Sequence, residues 1–353
     1  MALVCYLLAD MRDLVVLFGG PSSERKVSAA SGQNVASLLE QAEAWFWAPG
    51  GAIHRVERAV LLSHARPFEV EFTPGNAPSW PSLQDALDDP SSRALTFFLA
   101  LHGTGGEDGT AQKLFEQRRI AFTGPGSDAS AKAFDKEWAK RVAAAAGVPI
   151  AESVHLPRGG QATIGSALLG FLGRYGRVVA KPVAGGSSVG LHHVGSVADA
   201  QRAAAAIASS SDEYLAEAFV AGAELTVGVV DDERGTRALP ASEVRLEQGR
   251  AFDYEGKYLG KGTREITPAE VPDGVSRAAQ KVALDAHKAL GCEGYSRTDV
   301  ICADRGPVFL EINTLPGLTR MSFIPQQLAA EGTPMKSFLD GQITLARRRR
   351  DRA

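Results

Sequence analysis

The sequence predicts an α/β protein with more than one domain. At 353 residues, the chain is long enough for two or three domains. The apolar run Leu14–Phe18 is typical of a buried strand, and a glycine-rich loop and then an apolar-striped helix follow it. The run 93–101 repeats this order, with a polar glycine-rich loop at 102–109. Because ligands of open α/β sheets bind beyond the carboxyl ends of the strands, these loops are candidate binding loops.

The composition is that of an ordinary globular protein, with 44% hydrophobic and 22% charged residues. The net charge of −3 does not indicate nucleic-acid binding. Cys5, Cys292 and Cys302 lack paired or CxxC spacing, which argues against a disulfide framework or a zinc site and suits a reducing compartment. No apolar run approaches the roughly 18 residues that a membrane helix needs. We therefore expect a cytoplasmic protein with no membrane or nucleic-acid partner.

Both ends of the chain are unusual in composition. The first ten residues are apolar but lack a positively charged segment, so they do not indicate a signal peptide. We interpret residues 1–11 as an extension ahead of the first domain, or as an upstream start before Met11. The tail 347–352 is strongly basic. We expect it to be a frayed, solvated end, in preference to a phosphate or membrane contact.

A β-hairpin is predicted on either side of the turn Asp304–Gly306. Side chains alternate along a strand, so Arg297 and Asp299 share a face, and so do Glu311 and Asn313. If the strands pair in register, these four side chains converge. Two carboxylates and a carboxamide oxygen suit Mg²⁺ or Mn²⁺. An exposed hairpin with scattered charges is the alternative, but the Glu-x-Asn and Arg-x-Asp spacing across one turn favours the metal site.

The glycine-rich loops offer further candidates, each with a structural alternative. The loop at 19–28 fits neither GxGxxG nor GxxxxGK[ST], but it offers a helix N-terminus and an acid, Glu24, which could equally be a favourable first-turn charge. In the loop at 102–109, Glu107 and Asp108 could simply cap the next helix. The loop at 248–262 is polar, aromatic and glycine-rich, and such loops often cover sites.

Lysines mark the middle of the chain. One helix is predicted over 127–146, with Lys132, Lys136 and Lys140 on one face, and such a stripe is usually solvated. Lys181 lies in an apolar strand, where a charge is costly unless it is paired. The loop at 184–190 that follows can wrap phosphates with backbone N–H groups, or can be a hairpin turn. Further along, two segments, 214–220 and 224–230, are predicted to pair as strands, and 238–246 to form another.

In this order, the motifs resemble those of the D-alanine–D-alanine ligases of the ATP-grasp superfamily. They span about residues 14–340, and it is their shared order that is specific. The matching motifs are GGPSSERKVS at Glu24, LHGTGGEDG at His102, FDK at Lys136, KPVAGGSSVG from Lys181, DYEGKY at Lys257 and Tyr258, RTD at Arg297, and EINTLPG from Glu311 to Gly317.

The resemblance implies three α/β domains in an ATP-grasp architecture, the first with an open, largely parallel sheet. We expect the domains at 1–125, 126–215 and 216–353, with ATP between the last two. The residues expected to bind ATP are Lys136 and Lys181 at the phosphates, Ser188 in the loop closing over them, Glu217, Ala218, Phe219 and Val220 at the adenine, and Glu224 at the ribose.

The resemblance also assigns the metal and substrate residues. Two Mg²⁺ (or Mn²⁺) ions are expected on Asp299, Glu311 and Asn313. Glu24 is expected to bind the ammonium of the first D-alanine in a hydrogen-bonded set with Ser187 and Tyr258. The remaining assignments are Arg297 and the Gly317 N–H at the oxyanion, Ser322 at the carboxylate of the second D-alanine, and His102 and Lys257 close to the substrates.

The activity implied is ATP-dependent joining of two D-alanines through an acyl phosphate, for peptidoglycan precursor synthesis. The expected partners are D-alanine and ATP, and a homodimer is left open. One alternative is a ligase with D-lactate or D-serine as second substrate. The other is a non-catalytic ATP-binding paralogue, which is disfavoured because an idle site has no reason to keep buried charges.

Overall fold

The computed structural model describes residues 13–186, 188–246 and 263–352. Within those residues the chain forms three β-sheets with helices packed against them. No helix among them is both long and apolar enough to cross a membrane.

The first sheet has five strands in the order β3-β2-β1-β4-β5. All pairings are parallel except that of the edge strand β3. Every residue of β1 and β4 is buried, as expected of strands covered on both faces. The strands are β1 (Leu14–Gly19), β2 (Glu43–Trp47), β3 (Ile53–Val56), β4 (Thr96–Leu101) and β5 (Ala121–Phe122).

Helix α1 packs closely on this sheet because a glycine faces it. A Cβ at Gly32 would lie 2.8 Å from the Cβ of Phe18, so only glycine allows the contact. A 3₁₀ turn, Pro90–Ala94, precedes β4. The helices of this part are α1 (Arg25–Leu38), α2 (Arg58–Ser63), α3 (Leu83–Asp88) and α4 (Thr110–Arg118).

The second sheet is antiparallel, in the order β6-β9-β7-β8, and two helices pack on it. Two further helices lead into this part of the chain. Its strands are β6 (Ser153–His155), β7 (Val178–Pro182), β8 (His192–Val194) and β9 (Tyr214–Ala218). The helices are α5 (Ser127–Phe134), α6 (Lys136–Ala145), α7 (Gln161–Tyr175) and α8 (Val197–Ala208).

The third sheet is antiparallel, in the order β13-β12-β10-β14-β15, with β11 also on β10. The predicted hairpin is confirmed as β14 and β15. The strands are β10 (Ala223–Asp232), β11 (Gly235–Ala238), β12 (Ser242–Leu246), β13 (Thr263–Ile266), β14 (Tyr295–Ala303) and β15 (Gly306–Asn313). The helices are α9 (Asp273–Ala289), α10 (Phe323–Ala330) and α11 (Met335–Arg352).

Three predicted elements differ from the structure. The single helix over 127–146 is wrong: it breaks at Asp135, whose side chain accepts from the Trp138 N–H and caps α6. The pairing of 214–220 with 224–230 is also wrong, because β9 bonds to β6 and β7 whereas β10 bonds to β11, β12 and β14. The strand predicted over 238–246 is interrupted at 239–241: Ala238 ends β11, and 242–246 form β12. The predicted limit between the second and third domains, at residue 215, lies within β9, a strand of the second sheet. The domain limits stay predictions.

The basic tail is not frayed, so that expectation is wrong. It continues α11, which packs against the first sheet. Arg347 ion-pairs with Asp13 at 2.6 Å. Arg349 donates to the carbonyls of Phe122 at 2.7 Å and Gly124 at 2.8 Å, and its guanidinium lies 4.1 Å from the Phe122 ring centroid. The last helix of the chain therefore packs at the β5 edge of the first sheet.

We expect Arg349→Ala to lower the free energy of unfolding by about 2 kcal/mol, because two carbonyls lose a charged donor. Arg350→Ala is the matched control, since its side chain contacts the neighbouring Asp351; it should change stability by less than about 0.5 kcal/mol. Denaturant titration of both variants checks this. Equal effects would show that the tail acts only through its net charge.

Candidate active site

The β14–β15 hairpin provides the acidic centre of the site. Asp299 pairs directly with Glu311, and Arg297 with Asn313, so the predicted convergence of the four side chains is confirmed. Asp299 is buried and accepts from the Arg297 guanidinium at 2.9 and 3.1 Å and from the Thr226 hydroxyl at 2.8 Å. These bonds fix the orientation of the carboxylate.

The donor set fits a hard divalent cation. Two carboxylates and one carboxamide lie at adjacent register positions, and oxygen ligands of this kind suit Mg²⁺ or Mn²⁺. Among the described residues, the buried Nδ2 of Asn313 has no hydrogen-bond partner, so this carboxamide is not committed to a structural role through that atom. No group of three His, Cys, Asp or Glu side chains forms a metal cluster in the described ranges. Other ligands would have to come from substrate phosphates or water, as is usual for magnesium.

Glu24 lies just before α1, between the loop after β4 and the loop after β7. A Cβ on Gly103 would be 2.8 Å from Glu24 Oε2, and a Cβ on Gly186 would be 3.3 Å from Oε1. Glycine at both positions allows the loop after β4 and the loop after β7 to reach the carboxylate. Backbone of both loops thus lies close to the Glu24 carboxylate.

His102 and Glu107 are buried beside Glu24. Burial lowers the pKa of His102 to about 4, against the attraction of Glu24, so the ring is neutral at pH 7. Burial, together with Glu24, raises the pKa of Glu107 to about 8. Glu107 does not cap α4; it accepts from the Gly103 N–H at 2.8 Å and the Leu315 N–H at 3.2 Å. Asp108 accepts from the N–H of Thr110, the first residue of α4, at 2.9 Å, while the N-cap position itself is Gly109.

Two lysines share one buried carboxylate at the junction of the second and third sheets. The Nζ atoms of Lys140 and Lys181 each lie 2.9 Å from Glu217 Oε1. Burial lowers the pKa of Lys140, whereas for Lys181 the carboxylates of Glu217 and Glu311 outweigh burial and raise the pKa. Lys136 Nζ lies 3.7 Å from Glu311 and 2.5 Å from the Gly185 carbonyl. The solvated stripe is therefore a wrong interpretation for Lys136 and Lys140.

The remaining predicted residues that the structure describes lie on or just after β9, on β10, before α10 and in the loop after β7. Strand β9 ends at Ala218. Phe219 follows it, and the Arg177 guanidinium carbon lies 3.7 Å from the centroid of the Phe219 ring. Glu224 lies on β10, opposite Ile301 of β14. Ser322 Oγ accepts from the Thr319 N–H at 3.1 Å and would lie 2.7 Å from a Cβ on Gly317. Ser188 lies in the loop after β7 with a positive φ of 56°.

One cleft brings many of these side chains together, while Ser187, Lys257 and Tyr258 lie outside the described residues. Three predicted residues lie behind the lining of this cleft. Asp299 contacts Arg297, Lys181 interacts with Glu311, and Glu217 contacts Lys181. The predicted residues that line the cleft are Glu24, His102, Lys136, Arg297, Glu311, Asn313 and Gly317, joined by Glu107, Gly185, Gly186 and Leu315.

Comparison with known families agrees with this arrangement. Residues 13–125 match the family described as "D-ala D-ala ligase N-terminus", and residues 143–344 match "D-ala D-ala ligase C-terminus". The chain belongs to the D-alanine–D-alanine ligase family. It is 34% identical to a D-alanine–D-alanine ligase of Leptospira biflexa, over 92% of this chain and 95% of the relative. It is 36% identical to one of Sinorhizobium medicae, over 93% and 96%.

Solved structures of this ligase family show the same fold. The D-alanine–D-alanine ligase of Coxiella burnetii superposes with a TM-score of 0.76 at 26% identity, covering 96% of each chain. The VanG D-Ala:D-Ser ligase of Enterococcus faecalis also gives 0.76 at 26% identity, covering 94% of this chain and 98% of that one. The family and the α/β ATP-grasp fold predicted from the motifs are therefore confirmed.

Four residues that the structure places at or beside this ligase-family site had no functional role in the sequence analysis. Lys140 looked like part of a solvated stripe, and Glu107 like a cap. Ser31 and Asn34 lie on α1 and looked like ordinary helix residues, yet they reach the loop that contains Gly317. Lys140 could have been suspected from its spacing with Lys136, but the contacts of Ser31 and Asn34 span more than 280 positions in the chain.

We expect Lys140→Met to weaken ATP binding about tenfold, or ~1.4 kcal/mol. One of two buried cations around Glu217 is lost, while Met keeps the length of the side chain. Lys132→Met is the matched control, because Lys132 pairs with Asp128 on the exposed surface. Calorimetric titration with ATP compares the two. If both variants bind ATP as the unaltered chain does, Lys140 has only a structural role.

Proposed function

We propose that this chain joins two D-alanine molecules into D-alanyl-D-alanine, with hydrolysis of ATP to ADP and phosphate. The observation that supports this most strongly is the cleft itself. It brings a carboxylate that can bind an ammonium, a hard-oxygen metal set and an arginine next to a glycine-rich turn. The same chain belongs to the D-alanine–D-alanine ligase family. In the cell the product would serve peptidoglycan synthesis in the cytoplasm, where ATP is available.

In the first step, a carboxylate oxygen of the first D-alanine attacks the γ-phosphorus of ATP. The bond to ADP breaks and an acyl phosphate forms. Glu24 would hold the ammonium of this D-alanine, so that the carboxylate points away from it toward the hairpin. Lys136 and Lys181 would hold the phosphates, since both lie beside Glu311 and carry positive charge.

Asp299, Glu311 and Asn313 would hold two Mg²⁺ or Mn²⁺ ions. When bound, such ions neutralise the charge that phosphoryl transfer concentrates on the phosphate oxygens. Asp299 already accepts two hydrogen bonds from Arg297, so the same carboxylate would bind metal and hold the arginine. This would keep Arg297 aligned with the reacting groups.

In the second step, the neutral amine of the second D-alanine attacks the acyl carbon. The carbonyl oxygen gains negative charge, and Arg297 and the Gly317 N–H would stabilise it. Collapse of this intermediate releases phosphate and leaves the peptide bond, and the amine gives up a proton. Ser322 would bind the carboxylate of this second D-alanine, next to Gly317. The cleft would have to exclude water during this step, because water would hydrolyse the acyl phosphate.

The metal assignment gives a sharp prediction. We expect Glu311→Gln to reduce ligation by at least about 10³-fold, because a neutral amide cannot balance the charge of two cations. The control is Glu270→Gln, an exposed carboxylate paired with Arg245, which should keep normal turnover. ADP release is measured across a Mg²⁺ and Mn²⁺ titration. Near-normal turnover of Glu311→Gln at low Mg²⁺ would remove Glu311 from the metal set.

The product is tested by offering D-alanine, D-serine and D-lactate at equal concentration and separating the products by mass at pH 6 to 9. We expect D-alanyl-D-alanine throughout, with a rate that rises with pH as the amine deprotonates. Because a D-Ala:D-Ser ligase superposes as well as a D-Ala–D-Ala ligase, the fold alone does not choose the second substrate. Predominance of another product would reassign the second substrate. ADP release unaffected by any of the three would indicate a non-catalytic paralogue.

A further inference from the structure

The segment Thr314–Leu318, which follows β15, lies outside helices and strands and contains Gly317. Its own secondary structure therefore does not fix the direction of the Gly317 N–H. Side chains of the N-terminal part contact it from the other side of the cleft. Leu315 and Leu318, on either side of Gly317, are both buried and both held by such contacts.

At Leu318, two side chains of α1 hold the backbone. Ser31 Oγ accepts from the Leu318 N–H at 3.2 Å, and Asn34 Nδ2 donates to the Leu318 carbonyl at 2.6 Å. Both polar groups of one peptide residue are thus fixed by residues three apart, on one face of the helix. Ser31 is fully buried, so no water replaces its bond if the hydroxyl is lost.

At Leu315, the loop after β4 holds the backbone. Glu107 Oε1 accepts from the Leu315 N–H at 3.2 Å, and the other oxygen, Oε2, accepts from the Gly103 N–H at 2.8 Å. The two ends are connected, because His102 Nε2 lies 2.9 Å from Ser31 Oγ.

We propose that Ser31 and Asn34 are positioning residues for the ligation reaction, and that they act by holding the Leu315–Leu318 segment so that the Gly317 N–H faces the developing oxyanion. This rests on the proposed function. Neither residue touches the reacting atoms. A displacement of about 1 Å at such a donor can cost roughly 10² in rate, so these contacts bear on turnover more than on substrate binding.

The test uses Ser31→Ala and Asn34→Asp in the full-length enzyme. Asn34→Asp keeps the shape of the side chain but replaces the donor to the Leu318 carbonyl with a second acceptor. We expect kcat to fall at least about tenfold in each variant, with the KM for ATP changed by less than about twofold. The double variant should lose less than the product of the single losses, because both residues act on Leu318.

Ser28→Ala is the matched control. Ser28 is on the same helix and equally buried, but its hydroxyl bonds to Gly19 and Ala100 within the first sheet. We expect it to lower the melting temperature while leaving kcat within about twofold. If Ser31→Ala fails to fold, the partly exposed Asn34→Asp still decides the question.

Unchanged kcat in Asn34→Asp, or a loss of kcat in Ser28→Ala as large as in the other variants, would overturn the inference. A parallel rise in the KM for ATP would also overturn it. An unaltered enzyme that releases no ADP with D-alanine would instead overturn the proposed function, so the two failures are distinguishable.

Discussion

The site depends first on the register between β14 and β15. Asp299 lies opposite Glu311, and a slip of one residue would turn every side chain of a strand to the other face. The register shifts immediately after Asp299, so that Val300 pairs with Phe309, both fully buried. Phe309 and Glu311 are two positions apart and would share a face of a regular strand. The irregularity lets Glu311 face the cleft while Phe309 packs in the core. Thr226, on the neighbouring β10, then fixes Asp299 from the side.

The second constraint is the balance of buried charge. Lys140, Lys181 and Glu217 together carry one more positive than negative charge in a place nearly closed to water. Isolated, each charge would be expensive to bury, and their common carboxylate makes the burial tolerable. The excess positive charge lies directly beside Glu311. Together with Glu217, this carboxylate sets two negative charges against the two lysines, which explains why two buried lysines rather than one are tolerable there.

The N-terminal and C-terminal parts of the chain each donate side-chain hydrogen bonds to the backbone of the other. Helix α1 of the N-terminal part reaches the segment that contains Gly317, and Arg349 of the last helix reaches the edge strand of the first sheet. The apolar core follows the same pattern, because the core of the first sheet also contains Tyr295 and Ile324 from the C-terminal part. The cleft between these parts is therefore held by contacts from both of them.

The sequence by itself determined the fold class, the family and the hairpin with its convergent Arg297, Asp299, Glu311 and Asn313, because strand alternation and motif order are local properties of the chain. It did not determine that β9 and β10 belong to different sheets, that the 127–146 helix breaks at Asp135, or that the basic tail packs on the first sheet. Nor did it show that Lys140 is buried or that Ser31 holds Leu318. These depend on which distant surfaces meet, since burial and long-range hydrogen bonding are set by tertiary packing and leave no local pattern in the sequence.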